Sequence, residues 1–183
     1  MKYNKITISG RICTGKSTLF GFLERELEWK IFSSSAYFRK YAKEKGLSID
    51  KAEEQNNKLT KKIDYMVSDM LKNKTHLIAE GWMTGVMAGN EKDVLKILLT
   101  CPDPIRYQRY ALREHVSLRQ AERDITEREH NLLTTLSKIY GIGDFLDLKR
   151  YNIVIDTSVV NQRDAVQTIT HEIYPNIHQD HKS

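Results

Sequence analysis

Gly10-Arg11-Ile12-Cys13-Thr14-Gly15-Lys16-Ser17 fits the pattern G-x-x-x-x-G-K-[ST]. Such a loop cradles phosphate only when a strand enters it and a helix leaves it. Both neighbours qualify. Residues 5–9 (KITIS) alternate and are β-rich, which predicts a strand. Residues 16–29 carry Leu19, Phe20, Leu23 and Leu27 at helical spacing, which predicts an amphipathic helix opening directly after the turn. Glycine at 10 and 15 permits a backbone path that side chains block. Consecutive amides from about Ile12 to Ser17 can then point at one anion, and the helix N-terminus adds its dipole. In that scheme Lys16 reaches the β- and γ-phosphates, the Ser17 hydroxyl takes a Mg²⁺ position, and Thr18 touches the α-phosphate. The expected nucleotide-binding residues are therefore Gly10, Ile12, Cys13, Thr14, Gly15, Lys16, Ser17 and Thr18.

Outward from the loop, strands alternate with helices. Further strands are predicted at 30–34, 76–79, 93–99 and 152–155. Helices are predicted at 36–45 (stopping at Gly46), 48–71 (one or two), 105–114, 117–140 and 161–173, with a polar tail from 175. This order predicts a five-stranded parallel sheet with helices on both faces. Ligands in such sheets sit beyond the carboxyl ends of the strands, so Gly10, Ser34, Glu80, Thr100 and Asp156 are the positions to inspect. The segments 36–73 and 106–128 read as helical elaborations on one core spanning 1–174.

Composition narrows the field. The chain has 183 residues, 40% hydrophobic and 29% charged, with three prolines and two cysteines. That balance excludes collagen-like and disulfide-framework proteins. No stretch approaches the ~20 apolar residues of a membrane span, and the N-terminus has no signal-peptide core, so a cytoplasmic protein is expected. Twenty-nine Lys and Arg against 24 Asp and Glu leave a net charge of +5, which suits an anionic small ligand. A GTPase would also need Asp-x-x-Gly and Asn-Lys-x-Asp, and neither stands after the expected strands. A small kinase fits better.

Arg106, Arg109 and Arg113 lie at i, i+3 and i+7; Arg119, Arg123 and Arg128 follow. Phosphoryl transfer is mostly positioning and charge neutralisation, so arginines closing over the phosphates are the chemistry it needs. The alternative is a solvated face paired with Glu114, Glu122, Asp124, Glu127 and Glu129. Glu80 ends an apolar strand (LIAE), where an acid can hold a water on Mg²⁺ or cap nearby amides. Asp156 ends the fifth strand, and Thr157 and Ser158 read as caps of the last helix. His171, His178 and His181 are too widely spaced for a metal site. The arginine stretch is interleaved with acids and lacks a stacking aromatic series, which argues against nucleic acid as a partner.

With these residues in place, the sequence resembles the short cytidylate kinases of archaeal and related bacterial type, within the nucleoside monophosphate kinases. The resemblance runs from Ile6 to about Ile169. Beyond the loop it rests on Ser33-Ser34, Phe38-Arg39 and Ala42-Lys43-Glu44-Lys45-Gly46. It also rests on Ile63-Asp64, Glu80-Gly81, Arg128-Glu129, Tyr140-Gly141-Ile142 and the run from Tyr151 to Ser158. It implies a P-loop α/β fold with an acceptor-binding helical insert (36–73) and an arginine lid (106–140). It implies transfer of the γ-phosphoryl group of ATP to CMP or dCMP, with Mg²⁺, by a monomer or weak dimer. Lys16, Arg109, Arg113 and Arg128 would be catalytic. Ser34, Arg39, Asp64, Glu80, Gly81 and Trp82 would serve the acceptor; Ser17, and Glu80 through water, would serve the metal. The sequence departs from the family at Ser35 and Ala36, at Trp82 (Arg in the family) and at Thr134-Thr135-Leu136. Those departures imply a weaker grip on CMP. They leave two alternatives open: a kinase for another small acceptor, or an ATP-binding module with weakened catalysis.

Overall fold

A computed structural model describes residues 1–47 and 57–175. The strands are β1 (Lys5–Gly10), β2 (Lys30–Ser33), β3 (Leu77–Glu80), β4 (Val94–Thr100) and β5 (Ile153–Asp156). The helices are α1 (Lys16–Leu27), α2 (Ser34–Lys45), α3 (Asn57–Asn73), α4 (Thr84–Met87), α5 (Asp103–Glu114), α6 (Leu118–Tyr140) and α7 (Gln162–Ile173), with a 3₁₀ turn at Leu148–Arg150. All strand pairs are parallel, in the order β2-β3-β1-β4-β5. The five expected strands are all present. The order reverses beside β1, and the loop after β1 opens at that switch point, where parallel sheets bind ligands.

β1 is buried along its length, yet its two faces differ. Ile6 and Ile8 join Leu19, Phe20 and Leu23 of α1 and Ala165, Ile169 and Ile173 of α7 in one core. Each Leu, Ile or Phe side chain among them stabilises the fold by roughly 1.5–3 kcal/mol when fully buried. On the opposite face Ser9 meets α4: its Oγ lies 3.2 Å from Thr84 Oγ1 and accepts the Gly85 N–H at 3.1 Å. A Cβ on Gly85 would lie 2.5 Å from the Tyr151 ring, so only glycine lets this helix approach. A second core forms where Val67, Met70 and Leu71 of α3 pack on Leu77, Ala79 and Val94.

Some boundaries differ from the sequence reading. α2 starts at Ser34 rather than Ala36, because Ser33 caps it, accepting the Ala36 N–H at 3.0 Å. α3 starts at Asn57 among the described residues, and the part of the expected 48–71 helix at 48–56 lies outside them. So does the tail from 176 onward. α4 was not foreseen: four residues carry no readable period. Among the described residues no helix is long and apolar enough to cross a membrane.

Candidate active site

The loop after β1 turns its carbonyls outward, and each one meets a donor. Lys16 Nζ donates to Gly10 O and Arg11 O, both at 2.8 Å. Arg106 Nη1 donates to Ile12 O at 2.9 Å, Arg109 Nη1 to Cys13 O at 3.3 Å, and Thr157 Oγ1 to Thr14 O at 3.0 Å. A run of outward carbonyls turns amides inward and makes an anion nest. Among the described residues the amides of Cys13, Gly15, Lys16 and Ser17 have no protein acceptor. Cys13 and Gly15 take positive φ (61° and 89°) to make this turn. A Cβ on Gly10 would lie 2.6 Å from both Leu99 O and Thr14 Oγ1, which excludes any side chain there.

The nest is shorter than the expected run from Ile12 to Ser17. The Ile12 N–H donates to Glu129 Oε1 at 3.0 Å, and the Thr14 N–H points to Arg11 O at 3.4 Å. Each amide has one hydrogen, so these two hold the loop and leave the anion to the others. Lys16 is desolvated, which lowers its pKa; Glu80, Cys13 and Glu129 partly restore its charge. Burial raises the Cys13 thiol, with Arg113 and Lys16 pulling the other way.

A cleft of about 800 Å³ opens from the loop. It gathers Lys16, Ser17 and Thr18 with Arg39 and Ser35 of α2, Trp82, Arg109 and Arg113 of α5, and Arg128 of α6. Residues from five separate segments thus converge on one space. The arginines in it are not alike. Arg109 is pinned, donating to Thr157 Oγ1 (2.9 Å) and Thr157 O (2.7 Å) as well as to the loop. Arg113 is exposed, pairs with Glu114 at 2.7 Å and lies over the Tyr110 ring. Arg106, expected on the same face, is instead fully buried. Burial works against its charge, but bonds to Asp103 and Glu129 outweigh it. An i, i+3, i+7 spacing places side chains within one wide arc; the packing of α5 against the loop decides which is buried.

The other expected acceptor-side residues are dispersed. Glu80 is 1% exposed; its Oε1 accepts Ser33 Oγ (2.5 Å) and Ser35 Oγ (3.0 Å), while Oε2 is buried without a partner among the described residues. Gly81 donates its N–H to Ile8 O at 3.1 Å, and the buried Ser34 packs against it. Asp64 does not line the cleft. It is 6% exposed and accepts the Tyr140 hydroxyl at 2.7 Å, tying α3 to the end of α6. Burial raises its pKa to about 6, although the Tyr140 bond works the other way. Burial and the nearby Asp64 charge together push the Tyr140 phenol well above its usual range.

Thr157 is not a cap of the last helix; Asn161 is, accepting the Asp164 N–H at 3.0 Å. Thr157 Oγ1 serves the loop and Arg109 instead. Asp156 accepts the Ser158 N–H and hydroxyl at 2.8 and 2.6 Å, which holds its carboxyl below the usual range. The sequence did mark the end of β5 as a place to look, one residue short. The Arg106–Glu129 pair carried no local signal, since 23 residues separate its members.

No group of three or more His, Cys, Asp or Glu side chains that could hold a metal occurs among the described residues. The residues present still fit Mg²⁺. That ion takes one or two protein oxygens and completes its shell with water and substrate phosphates. The exposed Ser17 hydroxyl on the nest and the orphaned Glu80 Oε2 are donors of that kind.

Known proteins resemble this chain in sequence and in fold. Residues 6–131 match the family described as "AAA domain". The chain is 31% identical to the cytidylate kinase of Haloarcula marismortui, over 92% of this chain and 88% of that one. It is 33% identical to the cytidylate kinase of Sulfolobus acidocaldarius, over 90% and 91%. Among solved structures, the shikimate kinase of Acinetobacter baumannii, in complex with shikimate, superposes with a TM-score of 0.62 at 21% identity, covering 97% of this chain and 96% of that one. That last likeness is one of fold.

Proposed function

We propose, since this chain belongs to the cytidylate kinase family, that it transfers the γ-phosphoryl group of ATP to the phosphate of CMP or dCMP. The observation that carries this reading is the single cleft joining the amide nest to Arg39, Trp82 and Arg128. One end presents donors for a polyphosphate; the other presents a guanidinium and an indole, which suit a phosphate and a flat base.

The nucleotide's β-phosphate would lie on the amides of Cys13, Gly15, Lys16 and Ser17. Lys16 would leave Gly10 O and Arg11 O for the β- and γ-phosphates, exchanging two neutral acceptors for charged ones. The Ser17 hydroxyl and, through a water, Glu80 would hold Mg²⁺, whose chemistry there would be to offset phosphate charge. Arg39 would grip the acceptor phosphate while Trp82 stacks on its base. An acceptor oxygen then attacks the γ-phosphorus in line, and the bond to the bridging oxygen breaks, releasing ADP. No strong base is required, because the attacking phosphate is already an anion. Arg113 and Arg128 would meet the charge on the transferred group, and Arg109 would fix the wall between the loop and the turn after β5. Residues 36–73 would act as the acceptor-binding insert and 106–140 as the lid of a single domain. We place this activity in the cytoplasm, in a monomer or weak dimer.

The test is product formation from ATP·Mg²⁺ with CMP, dCMP, UMP, AMP, GMP, cytidine and shikimate. CMP and dCMP should be the best acceptors. Transfer to none of the monophosphates, or faster transfer to a non-nucleotide alcohol, would overturn the proposal.

A further inference from the structure

Two buried side chains grip the phosphate loop from outside and take no part in the transfer scheme. Arg106 on α5 and Glu129 on α6 are 0% and 2% exposed and lie 2.7 Å apart. Both backbone groups of Ile12 end on this pair: the N–H on Glu129 Oε1 at 3.0 Å, the carbonyl on Arg106 Nη1 at 2.9 Å. Arg11 closes the other carboxylate oxygen at 2.5 Å, and Asp103 takes the far side of the guanidinium at 2.6 Å. The next residue, Cys13, stands at φ 61°, a conformation uncommon for a residue with a Cβ.

A buried ion pair is a weak source of stability, because desolvation offsets most of its attraction. What a planar, multiply bonded guanidinium does well is fix geometry. Here it ties three segments at one point: the loop, α5 and α6. Arg128, which lines the cleft, directly precedes Glu129. Consecutive helical residues project about 100° apart. With Glu129 locked on Ile12, α6 can neither slide nor turn at this point, and Arg128 must face the cleft.

We infer that Arg106 and Glu129 are a positioning pair that holds the Ile12–Cys13 turn in its anion-binding form and sets Arg128 against the transferred phosphoryl group. The half concerning Arg128 rests on the kinase reading above; the half concerning the loop does not.

Two measurements test it. In the nucleotide-free protein, hydrogen exchange at the Ile12 amide should quicken at least about tenfold in Glu129→Ala, while the Ile6 and Ile8 amides of β1 stay as they were. Unchanged exchange at Ile12 overturns the pair's hold on the loop. The second measurement is kinetic. Glu129→Gln keeps the size and an acceptor oxygen but drops the charge. Its kcat should fall about tenfold or more, with KM for ATP and CMP within about threefold of the parent. Combined with Arg128→Ala, it should be no more than about twofold slower than Arg128→Ala alone, because both changes remove the same placed cation. Multiplying effects, or a parental kcat in Glu129→Gln, would sink the positioning role. So would a lower thermal midpoint with kcat per folded molecule preserved. If Glu129→Gln does not fold, Arg106→Lys, which keeps the charge and loses the fork, enters the same cycle with the same expected result. A parent inactive on every monophosphate would overturn the kinase reading alone, and the Ile12 exchange would still decide the pair.

Discussion

Around the phosphate loop, five successive carbonyls from Gly10 to Thr14 each meet a donor, and three of those donors come from residues 106, 109 and 157. Across the cleft the acceptor side is built differently. Arg39 is exposed on α2, Trp82 is half-buried, and of the two buried acids Glu80 is held by Ser33 and Ser35 while Asp64 is turned away onto Tyr140. The loop side is a preformed socket: its carbonyls are paired, and four of its amides have no acceptor among the described residues. The proposed acceptor side is a set of side chains drawn from α2, α3 and the turn after β3. A polyphosphate is the same in every ATP, so a fixed nest costs nothing in versatility. An acceptor must be admitted, gripped and released in each cycle, which favours groups on movable helices.

The largest expected effect is therefore on the donor side. Lys16→Ala should cut kcat by about 10³-fold or more, since a preorganised cation is lost where negative charge moves. Its CMP binding, measured separately, should change little. A variant retaining a tenth of parental turnover would break the contrast between the two halves.

Asp64 sharpens the comparison through pH. Its ordinary value is 3.8, and burial raises it to about 6, so the folded chain holds this proton more tightly than the unfolded one. That contribution to stability is complete below about pH 4 and is lost as pH rises toward 6, a change of about 3 kcal/mol. Asp93, Asp103 and Asp156 are held below their usual values and act in the opposite sense. Comparing Asp64→Asn with the parent cancels them. In urea unfolding at pH 4 and pH 7, the variant should gain about 2.4 kcal/mol on the parent between the two pH values, most of that change, because the unfolded carboxyl is still partly protonated at pH 4. Parallel behaviour of the two proteins would show that Asp64 is not a buried charge.

Arg39→Ala should raise the KM for CMP roughly 10- to 100-fold, the loss of about 1.5–3 kcal/mol from one charged hydrogen-bond partner. Affinity for ATP should stay within about twofold. Equal losses for both substrates would mean that Arg39 supports the cleft rather than the acceptor.

The smallest effect concerns glycine. Gly46 ends α2 at φ 63° with nothing within 4 Å of an added Cβ. Gly46→Ala should destabilise the fold by only about 1 kcal/mol, the cost of the left-handed backbone. On the donor side, at Gly10, the added atom would meet a fixed carbonyl. Thermal midpoints of the Gly46 variant far below the parent would show the acceptor insert to be as tightly built as the loop.

The sequence by itself determined the order of the strands and of the longer helices, the parallel sheet and the place of the phosphate loop. Those features are local: a two-residue period, a helical period and glycines at fixed spacing are legible within a dozen residues. It also showed that arginines would gather late in the chain. Only the tertiary structure decided what each arginine does. Arg106, Arg109 and Arg113 share one helical spacing, yet one is buried on Glu129, one is pinned on Thr157 and one stands in solvent beside Glu114. Likewise the motif offered amides from Ile12 to Ser17, and the fold took Ile12 for Glu129. A side chain's partner depends on which segments the sheet brings within about 3 Å of it. That distance is set by the packing of whole helices, and residues 12, 106, 129 and 157 carry no mark of it along the chain.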